Sequence, residues 1–259
     1  MVAKMKKNWL VVLGMLVLVT ALALTGCAKK TDLALARIEK AGVITVGNSP
    51  DYPPFETIDD QGNTVGFDID LLQAMAEEMG VTVQLKSLSF DTIVTAVQNG
   101  QVDIGMSGFS IDADRAAQID FTDPYLVGGQ VVVTTADSGI TSIADLSGKT
   151  VATQMATTCA AAAKKIEGAV VKELEDFNIA WSMLKTGAAK AVVADVSVAR
   201  EYIAREGFVQ VGDPLSYEET AIVVQKENPS LLKALNEALQ AVKDNGTYDE
   251  LVEKWQVGK

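Results

Sequence analysis

Histidine is absent from the sequence and cysteine occurs only twice. Without histidine the chain cannot form Ser-His or Cys-His catalytic pairs or histidine-based metal sites, and we expect neither a metal nor a cofactor. Positive charge is also scarce: 22 Lys and Arg stand against 34 Asp and Glu, a net charge of −12 at pH 7. Because gripping nucleic-acid phosphates requires clustered Lys and Arg, we expect no nucleic-acid partner.

Long hydrophobic runs are missing except near the start, where Trp9–Leu24 follows three lysines. That run is shorter than the ~20 apolar residues that comfortably span a bilayer, so residues 1–26 are predicted to be a secretory signal. It ends in Leu-Thr-Gly-Cys, which resembles the bacterial lipobox and implies lipidation of Cys27. An uncleaved membrane anchor is the alternative. Both place the rest of the chain outside the cytoplasmic membrane, and a lipidated Cys27 leaves Cys159 without a disulfide partner.

Strand-like and helix-like segments alternate along the rest of the chain. One helix is predicted to begin at Asp68, a suitable N-cap. Its apolar residues recur at helical spacing: Ile69, Leu72, Ala76 and Met79. The alternation starts again after the pair Gly128 and Gly129. This order favours mainly parallel sheets covered by helices on both faces.

A candidate site lies between Asp103 and Tyr125. A short apolar strand there runs into Gly108 and Ser110, and Arg115 follows five residues after Ser110. Backbone N–H groups, a hydroxyl and a planar guanidinium suit a small carboxylate, which Arg115 can hold in bidentate fashion. The alternative is an exposed ion pair between Arg115 and nearby acids, worth on the order of 0 to 1 kcal/mol.

Together with its flanks, this stretch resembles the polar amino-acid family, family 3, of bacterial extracellular solute-binding proteins, the receptors of ABC importers. Each matching string is short, but six of them stand in the family's order across residues 41–256. The five strings besides 103–125 are Asp51–Glu56, Val65–Leu71, Ile143–Val151, Ala191–Asp195 and Asn245–Tyr248. The resemblance implies a type II periplasmic-binding-protein fold, in which two α/β lobes, each a mainly parallel sheet flanked by helices, are joined by two hinge crossings.

The same resemblance sets the expected domain boundaries. We expect crossings near Tyr125–Gly129 and Ser216–Thr220, where the two glycines suit a hinge. The predicted order is a signal (1–26), the lipidated cysteine with a short tether and helix (27–40), lobe one (41–126), lobe two (127–217) and a return segment of lobe one (218–259).

Seven ligand-binding residues follow from the resemblance: Tyr52, Phe90, Gly108, Ser110, Arg115, Thr158 and Asp195. Arg115 would hold an α-carboxylate with Ser110 and the Thr158 N–H. Asp195 would accept an α-ammonium with the Gly108 carbonyl and the Ser110 hydroxyl, while Tyr52 and Phe90 would sandwich the ligand's side chain.

Structural alternatives remain for these residues. Asp195 could be a helix N-cap, Tyr52 and Phe90 could be core packing, and Thr158 could be a hydroxyl in a first helical turn.

Three further residues are candidates for reading the ligand's side chain: Ser49, Gln154 and Glu218. Position 154 is a glutamine rather than a lysine, so glutamate and aspartate are not favoured as ligands. Neutral polar and cationic amino acids stay open as ligands. One departure from the family is Ala156, which stands where a glycine is usual, so its Cβ could alter how closely the backbone approaches a ligand.

The function implied is capture of a polar L-amino acid by domain closure and its delivery to a membrane permease. We expect a monomeric, extracytoplasmic protein, tethered by lipid to the outer face of the cell membrane or periplasmic, that is not an enzyme. Two alternatives from other classes are a dehydratase acting on cyclohexadienyl or arogenate substrates, and a non-transport sensor or adhesin.

Overall fold

The computed structural model describes residues 33–258; the predicted signal and Cys27 lie outside them. The helices are α1 (Ala34–Ala41), α2 (Phe67–Glu78), α3 (Phe90–Gln98), α4 (Ala113–Ala116), α5 (Thr158–Ala163), α6 (Phe177–Lys185), α7 (Val196–Glu206), α8 (Pro229–Asp244) and α9 (Thr247–Trp255), with a 3₁₀ turn at Ile143–Leu146. Within residues 33–258 no helix has the length and apolar character needed to cross a bilayer.

The strands are short, and most lie in two sheets. They are β1 (Val43–Asn48), β2 (Asp51–Tyr52), β3 (Glu56–Ile58), β4 (Thr64–Val65), β5 (Thr82–Ser87), β6 (Ile104–Gly105), β7 (Asp120–Phe121), β8 (Leu126–Gly128), β9 (Gln130–Thr134), β10 (Thr150–Gln154), β11 (Val170–Leu174), β12 (Ala191–Asp195), β13 (Val209–Val211), β14 (Glu218–Thr220) and β15 (Val223–Val224).

Both five-stranded sheets share one topology. The first sheet has the order β5-β1-β6-β15-β7 and the second has the order β11-β10-β12-β9-β13. In each, the strand in fourth place pairs antiparallel with both neighbours, and the other four run in one direction. The reversed strand is the one that follows a crossing between the sheets, β15 in the first and β9 in the second. A three-stranded sheet, β2-β3-β4, carries Tyr52.

Helix α2 confirms the predicted apolar stripe and corrects the predicted cap. Ile69, Leu72 and Ala76 are buried, and Leu72 joins the cluster that includes Leu235 of α8. The helix begins after Gly66, however, and Asp68 is a fully buried residue of its first turn that caps nothing.

Gly66 is needed at this N-cap because another segment of backbone passes very close to it. Its φ is 149°, and a Cβ on Gly66 would lie 2.0 Å from the carbonyl oxygen of Phe55. A side chain at this position is therefore excluded by contact as well as by backbone conformation.

Two antiparallel strands, β8 and β14, run between the sheets and pair Leu126 with Thr220 and Gly128 with Glu218. We call this pair the ribbon. The sequence suggested that Gly128 and Gly129 serve backbone flexibility. In the structure Gly129 has a steric task, because a Cβ there would lie 1.9 Å from the carbonyl oxygen of Ser216.

The two glycines can be separated by experiment. Gly129→Ala should destabilise the protein by about 1 to 3 kcal/mol, the usual cost of overpacking, since the contact is with backbone that cannot rotate away. Gly128→Ala is the matched control, because no atom lies within 4 Å of its added Cβ. Chemical denaturation checks both variants. Equal stabilities would contradict the steric reading and return flexibility as the reason for both glycines.

Candidate functional site

The candidate site lies where strands of both sheets end. Strands β10 and β12 of the second sheet finish at Gln154 and Asp195, opposite the loop that follows β6 of the first. Carboxyl ends of parallel strands are the usual place for a ligand in α/β folds. A cavity of about 10 Å³ sits there, lined by Tyr52, Phe90, Ser107, Gly108, Ser110, Arg115, Gln154, Thr157, Thr158, Cys159 and Asp195.

The structure therefore brings together all seven residues predicted to bind a ligand, and Gln154 with them. Ser49 and Glu218 do not line this cavity. About 10 Å³ is room for roughly one water molecule, so an amino acid can enter only if the walls move apart.

Arg115 is buried rather than exposed, which overturns its reading as a solvated surface residue. Its Nε lies 3.2 Å from Oδ2 of Asp112, Nη1 donates to the Ser110 carbonyl at 2.9 Å, and Nη2 donates to the Ala156 carbonyl at 2.9 Å. The guanidinium also lies over the Phe90 ring, 5.4 Å from its centroid. Among residues 33–258, one N–H on each Nη has no partner, and a bidentate carboxylate requires two N–H groups.

Asp195 stands at the N-cap position of α7, but its side chain makes no capping bond. Its Oδ2 instead accepts from the Tyr52 hydroxyl at 2.9 Å, and its Oδ1 accepts from Nε2 of Gln130 at 3.4 Å. Burial raises the pKa of Asp195 to about 6, against the lowering effect of these bonds. At neutral pH it is a carboxylate, and ionised carboxylates attract ammonium groups.

Tyr52 and Phe90 line the cavity and also pack in the core. The Tyr52 ring lies 5.1 Å from Phe177 between centroids, and the Phe90 ring stacks on Phe109 at 4.6 Å. Each aromatic is thus held by a second ring behind it. Core packing and cavity lining are not alternatives here, because the same two rings do both.

The loop after β6 meets the start of α5 at the cavity. The Thr158 hydroxyl lies 3.2 Å from the Ser110 hydroxyl and accepts from Nε2 of Gln130 at 3.0 Å. The cap of α5 is Thr157, whose hydroxyl accepts from the backbone N–H of Ala160. Helix α5 therefore presents its first turn to the Ser110 side of the cavity.

The three candidate readers of the ligand's side chain have different positions. Gln154 is in the cavity wall. The Ser49 hydroxyl donates to Asp51 at 3.0 Å, so Ser49 is linked to the cavity only indirectly, through other residues. Glu218 lies on the ribbon and lines a separate groove of about 630 Å³. That groove shares Arg115, Thr157 and Thr158 with the lining of the small cavity.

Sequence reasoning missed several residues of the site. Gln130 links Asp195 to Thr158, and Asp51 holds Gln154. Cys159 is buried in the cavity wall, where burial raises its thiol pKa well above the ordinary value. Only its place one residue after Thr158 could have signalled this. Across residues 33–258 no cluster of acidic or thiol side chains is suited to a metal ion.

Beneath the site two buried acids, Glu56 and Asp68, support the loop after β6. Oε1 of Glu56 accepts from the Ser107 hydroxyl at 2.7 Å, and Oδ2 of Asp68 accepts from the Gly108 N–H at 2.8 Å and the Tyr125 hydroxyl at 2.9 Å. Oε2 of Glu56 and Oδ1 of Asp68 accept from no donor in residues 33–258, and the two buried carboxyl groups are close enough for the charge of Asp68 to raise the pKa of Glu56.

A hydrogen bond between two carboxyl groups needs a proton, because ionised carboxylates only accept. Burial raises the pKa of Asp68 to about 7 and raises the pKa of Glu56 well above its ordinary value. The pair therefore holds a proton at neutral pH, and that proton helps to fix Ser107 and Gly108.

Comparison with known proteins identifies relatives over nearly the whole chain. The family model of bacterial extracellular solute-binding proteins, family 3, matches residues 44–258. An arginine-binding extracellular protein of Bacillus subtilis (strain 168) is 30% identical over 98% of this chain and 99% of its own length.

Solved structures give the same picture. An ancestral arginine-binding protein bound to arginine superposes with a TM-score of 0.78 at 40% identity, covering 83% of this chain and 98% of that one. An ancestral amino acid-binding protein, described as a precursor of cyclohexadienyl dehydratase, gives 0.81 at 38% identity over 85% and 98%.

The shared proton predicts a pH dependence of stability. A carboxyl whose pKa is raised on folding stabilises the protein below the unfolded pKa, about 4.3 for glutamate, and that contribution is lost as pH rises through the folded pKa. The unfolding free energy should therefore fall by up to about 1.4 kcal/mol per pH unit between roughly pH 5 and 8. Glu56→Gln supplies a permanent N–H donor to Asp68 and should flatten this slope, whereas exposed Glu77→Gln on α2 should keep it. Denaturation at several pH values that gave wild type and Glu56→Gln the same slope would contradict the shared proton.

Proposed function

The chain belongs to the bacterial extracellular solute-binding proteins, family 3, with their type II periplasmic fold, and from this membership we propose how its cleft captures a ligand. It is the substrate-binding receptor of an ABC importer for polar amino acids, located outside the cytoplasmic membrane. The observation that carries the proposal is the pairing of Arg115 and Asp195, opposite charges held on either side of one cavity.

Arg115 binds the α-carboxylate of the ligand and Asp195 binds its α-ammonium. Within residues 33–258, Nη1 and Nη2 of Arg115 each donate to a single carbonyl, and the Ser110 and Thr158 hydroxyls bond to each other in the lining of the same cavity. A free amino acid carries both charges a few ångströms apart, so it can pair with both residues. A small metabolite that carries one charge or none cannot. Each pair gains strength from being removed from water.

Opening and closing of two lobes gives the ligand access. We take the first and second sheets as the cores of lobes one and two, with boundaries at residues 41–126, 127–217 and 218–259 and with the ribbon as the hinge. Lobe one supplies Tyr52 and Arg115, and lobe two supplies Thr158 and Asp195. The bond from the Tyr52 hydroxyl to Asp195 then joins the lobes and has to break for a ligand to enter.

Charge around the cavity favours a cationic amino acid, with arginine first. Arg115 is the one basic residue in the cavity lining. Three acids, Asp51, Asp112 and Asp195, contact lining residues or belong to them. After the two α-groups are paired, the site retains negative charge that a guanidinium or ammonium side chain can balance. Two of the relatives above are arginine-binding proteins, which supports this order.

The remaining features of the chain follow the same proposal. Lipidation at Cys27 would tether the receptor beside its permease, where we propose that it acts as a monomer. A dehydratase is the weaker alternative, since the relevant structural neighbour is itself described as an amino acid-binding protein.

A thermal-shift screen of residues 28–259 against the twenty L-amino acids, ornithine, citrulline and cystine tests the function. A ligand at 100 times its dissociation constant adds about 2.7 kcal/mol to the unfolding free energy, enough to raise the melting temperature by several degrees. Arginine should give the largest shift. The receptor proposal fails if no amino acid shifts the melting temperature and the purified protein carries no bound amino acid.

A variant of Arg115, compared with a control variant of Lys165, tests the role assigned to Arg115. Arg115→Lys keeps the charge and loses the planar fork, so ligand affinity should fall by about 2 to 5 kcal/mol in calorimetric titration. Lys165→Ala removes a cation that lines only the outer groove and should leave affinity within a few-fold of wild type. If Arg115→Lys binds as well as Lys165→Ala, the carboxylate is held elsewhere.

A further inference from the structure

Gln154 ends strand β10 in the cavity wall, and both N–H groups of its amide are already used. Nε2 donates to Oδ2 of Asp51 at 2.9 Å and to the Glu175 carbonyl at 3.2 Å. Both partners are acceptors. Turning the amide over would place its carbonyl oxygen against two other oxygens, so this orientation is fixed by its surroundings.

Asp51 is itself held as an acceptor. Its Oδ2 also accepts from the backbone N–H of Phe177 at 2.8 Å, and its Oδ1 accepts from the Ser49 hydroxyl at 3.0 Å. Burial, the largest influence, and the nearby charge of Asp176 raise the pKa of Asp51 above its ordinary value, although these bonds act to lower it. Three donors converge on this one carboxyl group, and all three use it as an acceptor.

The carbonyl oxygen of Gln154 is consequently the one polar atom of that side chain without a protein partner in residues 33–258. We propose that Asp51 is a positioning residue for ligand selection: it fixes the Gln154 amide so that the cavity presents an acceptor, and the site selects amino acids whose side chains donate hydrogen bonds. This inference rests on the proposed function and assigns Ser49 a role through Asp51.

The selection follows from which ligand side chains a hydrogen-bond acceptor in the cavity can and cannot bind. A guanidinium, an ammonium or a primary amide can donate to the Gln154 oxygen, whereas a side-chain carboxylate can only accept and would face it with like charge. Sites built to hydrogen-bond a ligand group discriminate strongly against analogues that lack it, because the protein's own polar atom is then left unpaired. Glutamine and glutamate are the sharpest pair of probes, since they share one shape and differ in donors.

The test is the ratio of dissociation constants for glutamate and glutamine, with arginine as a third ligand, measured by calorimetry. Wild type should favour glutamine over glutamate by about 100-fold or more. In Asp51→Leu the 2.9 Å bond that holds Nε2 of Gln154 is lost, so the amide is held by the Glu175 carbonyl alone and no longer fixes its oxygen towards the ligand. The ratio should then shrink at least tenfold. Ser89→Ala is the matched control, because it removes a 2.8 Å bond to Glu175 between the same two sheets without touching Gln154.

Each outcome is decisive. If Asp51→Leu weakens all three ligands in parallel, as Ser89→Ala should, then Asp51 only joins the two sheets and the inference is wrong. It is also wrong if wild type prefers an amino acid whose side chain has no donor. Should Asp51→Leu fail to fold, Gln154→Met leaves the Asp51 bonds to Ser49 and Phe177 in place, and it must erase the preference for donors. A wild type that binds no amino acid would refute the receptor function itself.

Discussion

The rest of the site depends on one constraint, the burial of charged side chains between the two sheets. A buried carboxylate or guanidinium is costly unless it is paired and hydrogen-bonded. Arg115 meets this requirement through two backbone carbonyls and Asp112, and Asp195 meets it through Tyr52 and Gln130. Because the partners come from different strands and loops, the charges can be satisfied only when both sheets and the ribbon are in place.

Local pattern was enough to predict most helices and strands, whereas the residues around the cavity came from the resemblance to the family. The apolar stripe of α2 and the strand ends at Gln154 and Asp195 depend on neighbours in sequence, which periodicity reports. The bonds that orient the site are different. Asp51 meets Gln154 across 103 positions and Phe177 across 126, and nothing in the spacing signals such a meeting. Asp68 failed as a predicted cap for the same reason, since its partners Gly108 and Tyr125 lie 40 and 57 positions away.

Ala156 shows how a departure from the family pattern is accommodated. Its φ of 59° lies in the left-handed region that glycine adopts without cost, and a non-glycine residue there costs on the order of 1 to 3 kcal/mol. The residue keeps this conformation while its carbonyl accepts from Nη2 of Arg115. The strain is thus located at the residue whose carbonyl binds Arg115 just before α5, and Ala156 is exposed, so its backbone conformation rather than lack of space is what a glycine there would relieve.

The proposed selectivity for zwitterions follows from competition with bonds the protein makes to itself. The Tyr52 hydroxyl satisfies Asp195, and backbone carbonyls satisfy part of Arg115, before any ligand arrives. A cation alone could replace Tyr52 at Asp195 but would face Arg115 with like charge, and an anion alone would face Asp195 in the same way. Only a molecule that carries both charges at the right separation gains at one end without losing at the other. The internal bonds therefore set the free energy that bonds with a ligand have to exceed. In the role proposed for it, the orientation of Gln154 decides which ligand side chains contribute most to that free energy.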